Sequence, residues 1–129
     1  MKAKLISTNG EYLDAIIDID GNLYCVMDEF GLYGGRGPKV GETFDIEFSN
    51  LIDEDESWES IFSSNPEKKI GIEQIEGWKY RAYGEITSIN PVEVNCGILS
   101  EEDVIQTHDP KVIGEYIAFT ISRLGGSST

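Results

Sequence analysis

The chain has 129 residues, of which 40% are hydrophobic and 10% aromatic, and this size and composition predict one domain with a core of its own rather than a multidomain or disordered chain. Twenty-four acidic residues against ten Lys and Arg give a formal net charge of −14. So negative a chain is repelled by nucleic acid and by anionic membranes, which excludes both as direct ligands.

Most apolar runs alternate with period two and end at turn residues, which is typical of β-strands. Residues 15–19 and 23–27 flank Asp20-Gly21-Asn22, and Asp-Gly supplies the positive φ angles of a tight hairpin turn. Residues 30–38 are rich in glycine, so we predict a long surface loop there. Residues 43–48 alternate cleanly and predict the next strand.

One helix is predicted, over residues 53–62. Trp58, Ile61 and Phe62 have the i, i+3, i+4 spacing of a single helix face. Acidic residues fill the first turn, where the helix dipole favours negative charge, and Asn65-Pro66 ends the element. We therefore expect two or three helical turns.

The rest of the chain returns to the strand pattern. Four strands are predicted, at residues 70–75, 78–89, 92–98 and 115–123. Gly84 lies inside the longest of them, and a glycine there indicates a bulge or a sharp bend. The last five residues are small and polar, so we predict a domain over residues 1–124 and a flexible C-terminal tail over 125–129.

Six to eight short strands with one short helix indicate a mainly β fold, a small antiparallel, OB-like barrel. Residues 83–98, 107–110 and 113–124 together resemble small bacterial OB-like domains of unassigned function. This resemblance covers about the C-terminal third of the chain. It implies a barrel and a bacterial origin, and it carries over no catalytic or binding residue.

Reactive side chains are few. Cys25 and Cys96 lie in apolar runs and are predicted to be buried thiols, with a disulfide or a reactive thiol as the alternative. His108 is the only histidine and lies in a turn without identifiable catalytic partners. One histidine and two distant cysteines match no zinc-binding spacing. We predict no metal, no cofactor and no catalytic residue.

Two segments superficially resemble ion-binding sites. Residues 18–29 carry acids at calcium-loop spacing, but Leu23 occupies the position that needs glycine, so a hairpin is the better interpretation. The glycines of residues 30–38 lack the pattern of a phosphate-binding loop. A mobile loop is favoured there, and Phe30 and Tyr33 leave open a partner-binding tip.

The compartment is predicted from the lack of membrane-spanning and signal segments in the sequence. No apolar run reaches the length of about 18 residues that a membrane helix needs, and the first residues contain no secretory signal, so a cytoplasmic protein is predicted.

Residues 11–62 hold fourteen acids and two bases, whereas the remainder is nearly balanced. This asymmetry indicates a surface that attracts a basic protein, although solubility alone could also account for it.

Three functions remain open. The first is a non-catalytic inhibitor of the immunity type that neutralises a basic, nuclease-like toxin. Its predicted contact residues are Asp28, Glu29, Asp45, Glu47, Asp53, Glu54, Asp55, Glu56, Trp58 and Glu59. The second is an OB-like module that binds a small molecule or a saccharide through Lys79, Arg81 and Tyr83. The third is an enzyme that uses carboxylates alone.

Overall fold

A computed structural model describes residues 1–31 and 37–128, and it confirms the mainly β fold class with a partly closed ring of strands and one short α-helix. The strands are β1 Lys2–Thr8, β2 Asp14–Ile19, β3 Asn22–Asp28, β4 Thr43–Ile52, β5 Gly71–Glu76, β6 Lys79–Ile89, β7 Val92–Asn95, β8 Ser100–Glu102 and β9 Tyr116–Ser128. The helices are α1 at Trp58–Ser63 and a 3₁₀ helix at Pro110–Val112. Neither described helix is long and apolar enough to cross a membrane.

The residues form two compact units. The first unit comprises Met1–Leu51, Gln74–Lys79 and Ser122–Thr129, and the second comprises Ile52–Glu73 and Tyr80–Ile121. Strand β9 runs through both ranges, with its first half in the second unit and its second half in the first.

The first unit contains a ring of five strands in the order β3-β2-β1-β4-β9. The β1–β2, β2–β3 and β1–β4 pairs are antiparallel, and a short parallel pairing of β3 with β9 closes the ring. Its buried side chains are Ala3, Leu5, Ala15, Ile17, Ile19, Val26, Met27, Phe30, Phe44, Ile46 and Leu124.

The predicted hairpin is confirmed in this unit. β2 and β3 pair from Asp14↔Met27 to Ile19↔Asn22. Asp20 and Gly21 connect them with φ angles of 53° and 87°, the two positive values that a tight turn between twisted strands requires. The Asp18 carboxylate accepts the backbone N–H of Gly21 at 2.8 Å, so this part of the calcium-like pattern stabilises the turn.

The predicted C-terminal tail is wrong for the residues that the structure describes, because residues 125–128 are the end of β9. Gly125 and Gly126 are buried and pair with Met27 and Asp28 where the ring closes. A Cβ at Gly125 would lie 2.7 Å from the carbonyl oxygen of Ser49. Glycine is therefore needed here for a close approach of backbones, not for flexibility.

The second unit is built on β6, which pairs with β9 on one side and with β7 on the other, and β7 in turn pairs with β8. Its buried side chains are Ile61, Tyr80, Ala82, Ile86, Val92, Val94, Cys96, Leu99, Ile105, Ile117, Ala118, Phe119 and Ile121. As predicted, alternate residues of β6 face inward. The irregularity in β6 lies between Ile86 and Ser88, not at Gly84.

Two predicted elements differ from the observed ones. The strand predicted at residues 70–75 begins one residue later, at Gly71, and Ile75 within it is exposed. Helix α1 has six residues and begins after Ser57, whose hydroxyl accepts the N–H of Ser60 at 3.1 Å. Residues 53–57 are not helical, because their polar groups bond to β9, where the N–H of Asp53 donates to the carbonyl of Thr120 at 3.0 Å.

Candidate functional site

The negative charge is concentrated in the second unit. Its ranges contain fourteen acids and four bases, a net charge of −10, whereas the ranges of the first unit contain ten acids and six bases, a net charge of −4. A count along the chain assigns most of the negative charge to residues 11–62 instead. That count leaves out Lys2 and Lys4 of β1, which belong to the first unit and lie beside acids of the neighbouring strands. Lys2 lies opposite Asp45, and Lys4 lies opposite Asp18.

Two of the predicted contact residues hold the first unit together. Asp28 is 8% exposed; one of its carboxylate oxygens accepts the N–H of Phe30 at 3.0 Å and the other accepts the hydroxyl of Thr8. The Glu29 carboxylate accepts the hydroxyl of Ser49 at 2.7 Å. These carboxylates therefore support the ring of strands, and Asp28 is buried while Glu29 is half-buried.

Asp45 and Glu47 are exposed on the same face of β4. The Lys2 ammonium lies 2.9 Å from the Asp45 carboxylate. The hydrogen bond from Lys2 holds the pKa of Asp45 below its ordinary value. The Lys2 ammonium thus partly neutralises the Asp45 carboxylate. Glu47 is therefore the acid of the two that offers more of its charge to a partner.

Glu56 is also an internal residue. One oxygen of its carboxylate accepts the N–H of Thr120 at 2.7 Å, and the other lies 2.8 Å from Arg81, with side-chain exposures of 15% for Glu56 and 22% for Arg81. Arg81 also donates to the Thr120 hydroxyl at 3.0 Å. This pair fixes the segment before α1 on β6 and β9, so the Glu56 carboxylate already has two internal partners.

The same contacts bear on the alternative ligand-binding residues. Arg81 is held by Glu56, and the Lys69 ammonium lies 5.1 Å from the centre of the Tyr83 ring. Lys79 alone of the predicted three is exposed. Arg81 and Tyr83 are half-buried, and ligand binding by these three residues stays a prediction.

The remaining acids of residues 53–59 border a groove of about 330 Å³, which we call the Trp58 groove. Its lining residues are Ile52, Asp53, Glu54, Glu56, Trp58, Ile61, Asp103, Val104, Ile105 and Gln106. The Trp58 side chain is 51% exposed, and Asp55 and Glu59 are exposed nearby in sequence. All charged residues that line the groove are acidic.

Asp103 is the acidic residue of the groove that sequence reasoning missed. It follows β8 with a φ of 63°, a left-handed conformation that aspartate tolerates better than most residues. The acidic run Glu101-Glu102-Asp103 was a visible signal in the sequence. Its position beside residues 53–58 depends on long-range pairing, which local patterns do not reveal.

The remaining candidate reactive groups are two free thiols and one imidazole. Cys96 is buried and Cys25 is partly buried. Burial, followed by the charge of Glu101, raises the pKa of Cys96 to about 12; burial followed by Asp14 raises that of Cys25. His108 is exposed. Among the described residues no group of three or more His, Cys, Asp or Glu could hold a metal ion.

The glycine-rich segment can be assessed only at its ends, since residues 32–36 lie outside the described part of the chain. Both expectations for this segment, the mobile loop and the aromatic tip, involve those residues. Phe30 is buried in the first unit, where its ring meets Phe44 edge-on at 5.0 Å. Phe30 therefore contributes to the core and not to an exposed tip.

Comparison with known proteins yields no relative: no family model, no curated protein and no solved structure matches the chain. The resemblance to small bacterial OB-like domains stays a prediction. The functional argument therefore rests on the charge of the second unit and on the geometry of the Trp58 groove.

Proposed function

We propose that the chain is a non-catalytic binding protein whose second unit attracts a basic protein partner. The observation that carries this proposal is the excess of fourteen acids over four bases in the ranges of that unit. Glu54, Asp55 and Glu59 are exposed. Such a potential speeds the encounter with a cationic protein and disfavours anionic partners.

The bases of the second unit do little to cancel this potential, because three of the four already interact with neighbouring side chains. Arg81 pairs with Glu56, and Lys69 lies 3.8 Å from both Glu67 and Glu73. Lys68 lies 5.8 Å from the centre of the Tyr116 ring. The acids of residues 53–59 are therefore left with few cations of this unit to neutralise them.

The partner class that this surface fits best is a basic, nuclease-like toxin, which the chain would neutralise as an immunity-type inhibitor. Nucleases hold phosphates with Lys and Arg side chains. Carboxylates that occupy the phosphate positions block such a site without any bond-making chemistry of their own. This role needs no metal, no cofactor and no catalytic residue in the inhibitor.

An inhibition assay with a panel of purified basic nuclease domains tests the proposal. We expect at least one domain to lose its cleavage activity in proportion to added protein, up to a fixed molar ratio, and the inhibition to weaken as salt is raised. If a basic domain binds the protein but keeps its cleavage activity, the proposed binding function stands and the inhibitor role is refuted. Absence of binding to every basic domain and to arginine-rich peptides would refute both.

A further inference from the structure

We infer that the Trp58 groove receives one arginine or lysine side chain of the basic partner. The inference rests on the proposed function and names the group that the second unit recognises. The groove combines an apolar floor, an exposed aromatic ring and an acidic rim in one concave surface of about 330 Å³. Each of these three features corresponds to one part of a long basic side chain.

The floor matches the aliphatic part of the side chain. Ile61 and Ile105 line the groove and are only 4% and 2% exposed. The methylene stems of Lys and Arg pack along apolar surface of this kind while the charged head stays polar. The groove volume of about 330 Å³ is enough for one extended side chain.

The wall is the indole of Trp58, which is 51% exposed although it is a large aromatic side chain. The ring makes a tilted contact with Phe62, at 6.4 Å between centroids. Tryptophan gives the strongest cation–π attraction among the aromatic residues. A planar guanidinium also stacks on an indole, which favours arginine over lysine.

The rim determines the sign of the ligand charge. Asp53, Glu54 and Asp103 line the groove, and no base is among the described lining residues. An anionic side chain would be repelled, and an uncharged apolar side chain would cover these carboxylates without pairing them. A guanidinium offers donors to carboxylates and stacks on the ring at the same time.

The walls are held in place before any partner arrives. The Asp53 N–H donates to Thr120, and its carboxylate accepts the N–H of Asp55 at 2.9 Å. Ser57 caps the helix that begins at Trp58. A site that is already ordered loses little conformational entropy on binding, so even a single side chain can contribute measurably.

Peptide binding to the full chain tests the inference. The probes are an uncharged Gly/Ser peptide that carries three arginines and the same peptide with citrulline, which keeps the shape and removes the charge. We expect the arginine peptide to bind at least fivefold more tightly than the citrulline peptide and to change the fluorescence of the protein. In Trp58→Phe we expect that fluorescence change to be largely lost.

Matched variants separate the groove from general charge attraction. Asp103→Asn keeps a side chain that tolerates the left-handed conformation, and it should weaken arginine-peptide binding about threefold or more. Glu115→Gln removes the same charge from an exposed residue of the second unit outside the groove lining, and it should change binding less than twofold. Trp58→Ala should weaken binding at least fivefold.

The outcomes distinguish this inference from the function on which it rests. If Trp58→Ala and Asp103→Asn bind the arginine peptide as the parent chain does, the groove is not the site, while salt-dependent binding of a basic protein would leave the proposed function standing. Equal binding of the arginine and citrulline peptides also overturns the inference. If neither peptide nor any basic protein binds, both proposals fail.

Discussion

At the scale of single residues, Glu56 illustrates how a strongly acidic chain uses a carboxylate inside its structure. It satisfies the N–H of Thr120 and pairs with Arg81. Glu56→Ala would remove the carboxylate that neutralises Arg81 and would leave the Thr120 N–H without its acceptor in a largely buried place, which costs about 2–4 kcal/mol. We expect this loss in the free energy of unfolding measured with urea.

Glu54→Ala is the matched control for that measurement, because Glu54 is exposed and only two residues away. A surface substitution of this kind changes stability by no more than about 0.5 kcal/mol. Similar unfolding midpoints for the two variants would show that the Glu56–Arg81 pair does not fix the segment before α1.

The buried thiol of Cys96 predicts a pH effect on stability. Its pKa is raised from 9.0 to about 12, chiefly by burial, so the unfolded chain loses this proton at a lower pH than the native chain. The contribution of this thiol to the free energy of unfolding is fully present below pH 9 and is lost as the pH rises from about 9 to about 12. Cys96→Ala should show a shallower alkaline loss of stability in urea unfolding; parallel pH profiles would contradict the assignment.

At the scale of secondary structure, Gly84 marks a close approach of two strands. A Cβ there would lie 2.5 Å from the carbonyl oxygen of Asn95 and 2.7 Å from Val94. Because strand backbone and a branched side chain cannot both give way, Gly84→Ala should destabilise the chain by about 2–4 kcal/mol. Gly31→Ala adds a methyl group with no atom within 4 Å, so it should leave the stability of the chain nearly unchanged. Thermal unfolding of the two variants measures the difference. Equal melting temperatures would refute the close approach.

Local elements were predictable where their signals were local. The β2–β3 hairpin follows from Asp20-Gly21, and seven of the nine described strands follow from period-two alternation. Strands β1 and β8 were not predicted. Helix α1 was predicted too long because the polar groups of residues 53–56 bond to Thr120, more than sixty positions along the chain. The pairing of Gly125 and Gly126 with β3 is equally non-local, and composition alone suggested a tail.

The candidate site was predictable in part for the same reason. Trp58, Asp53 and Glu54 were expected to contact a partner, and they line the groove. Glu56 also lines the groove, although its carboxylate bonds internally to Arg81 and Thr120. Asp28 and Glu29 accept internal hydrogen bonds in the first unit, and acidity alone does not reveal which carboxylates do so. Asp103 was missed because it reaches the groove only through the fold.

At the scale of the whole molecule, charge counted along the chain and charge counted by compact unit lead to different partner surfaces. The count along the chain assigns most of the negative charge to residues 11–62, whereas the structure assigns a net charge of −10 to the second unit. The β1 lysines account for part of the difference, since Lys2 pairs with Asp45. The attraction for a cation is therefore expected from the second unit.

The measurement that tests this most directly compares two triple charge reversals that take the net charge equally far towards zero. The second-unit variant is Glu54→Lys, Asp55→Lys and Glu59→Lys; the first-unit variant is Glu11→Lys, Glu47→Lys and Glu76→Lys, all at exposed positions. Affinity for an arginine-rich peptide is measured from low to high salt. We predict at least a tenfold loss of affinity and a flatter salt dependence for the second-unit variant, and a change below threefold for the first-unit variant. Equal losses in the two variants would contradict a directional attraction by the second unit.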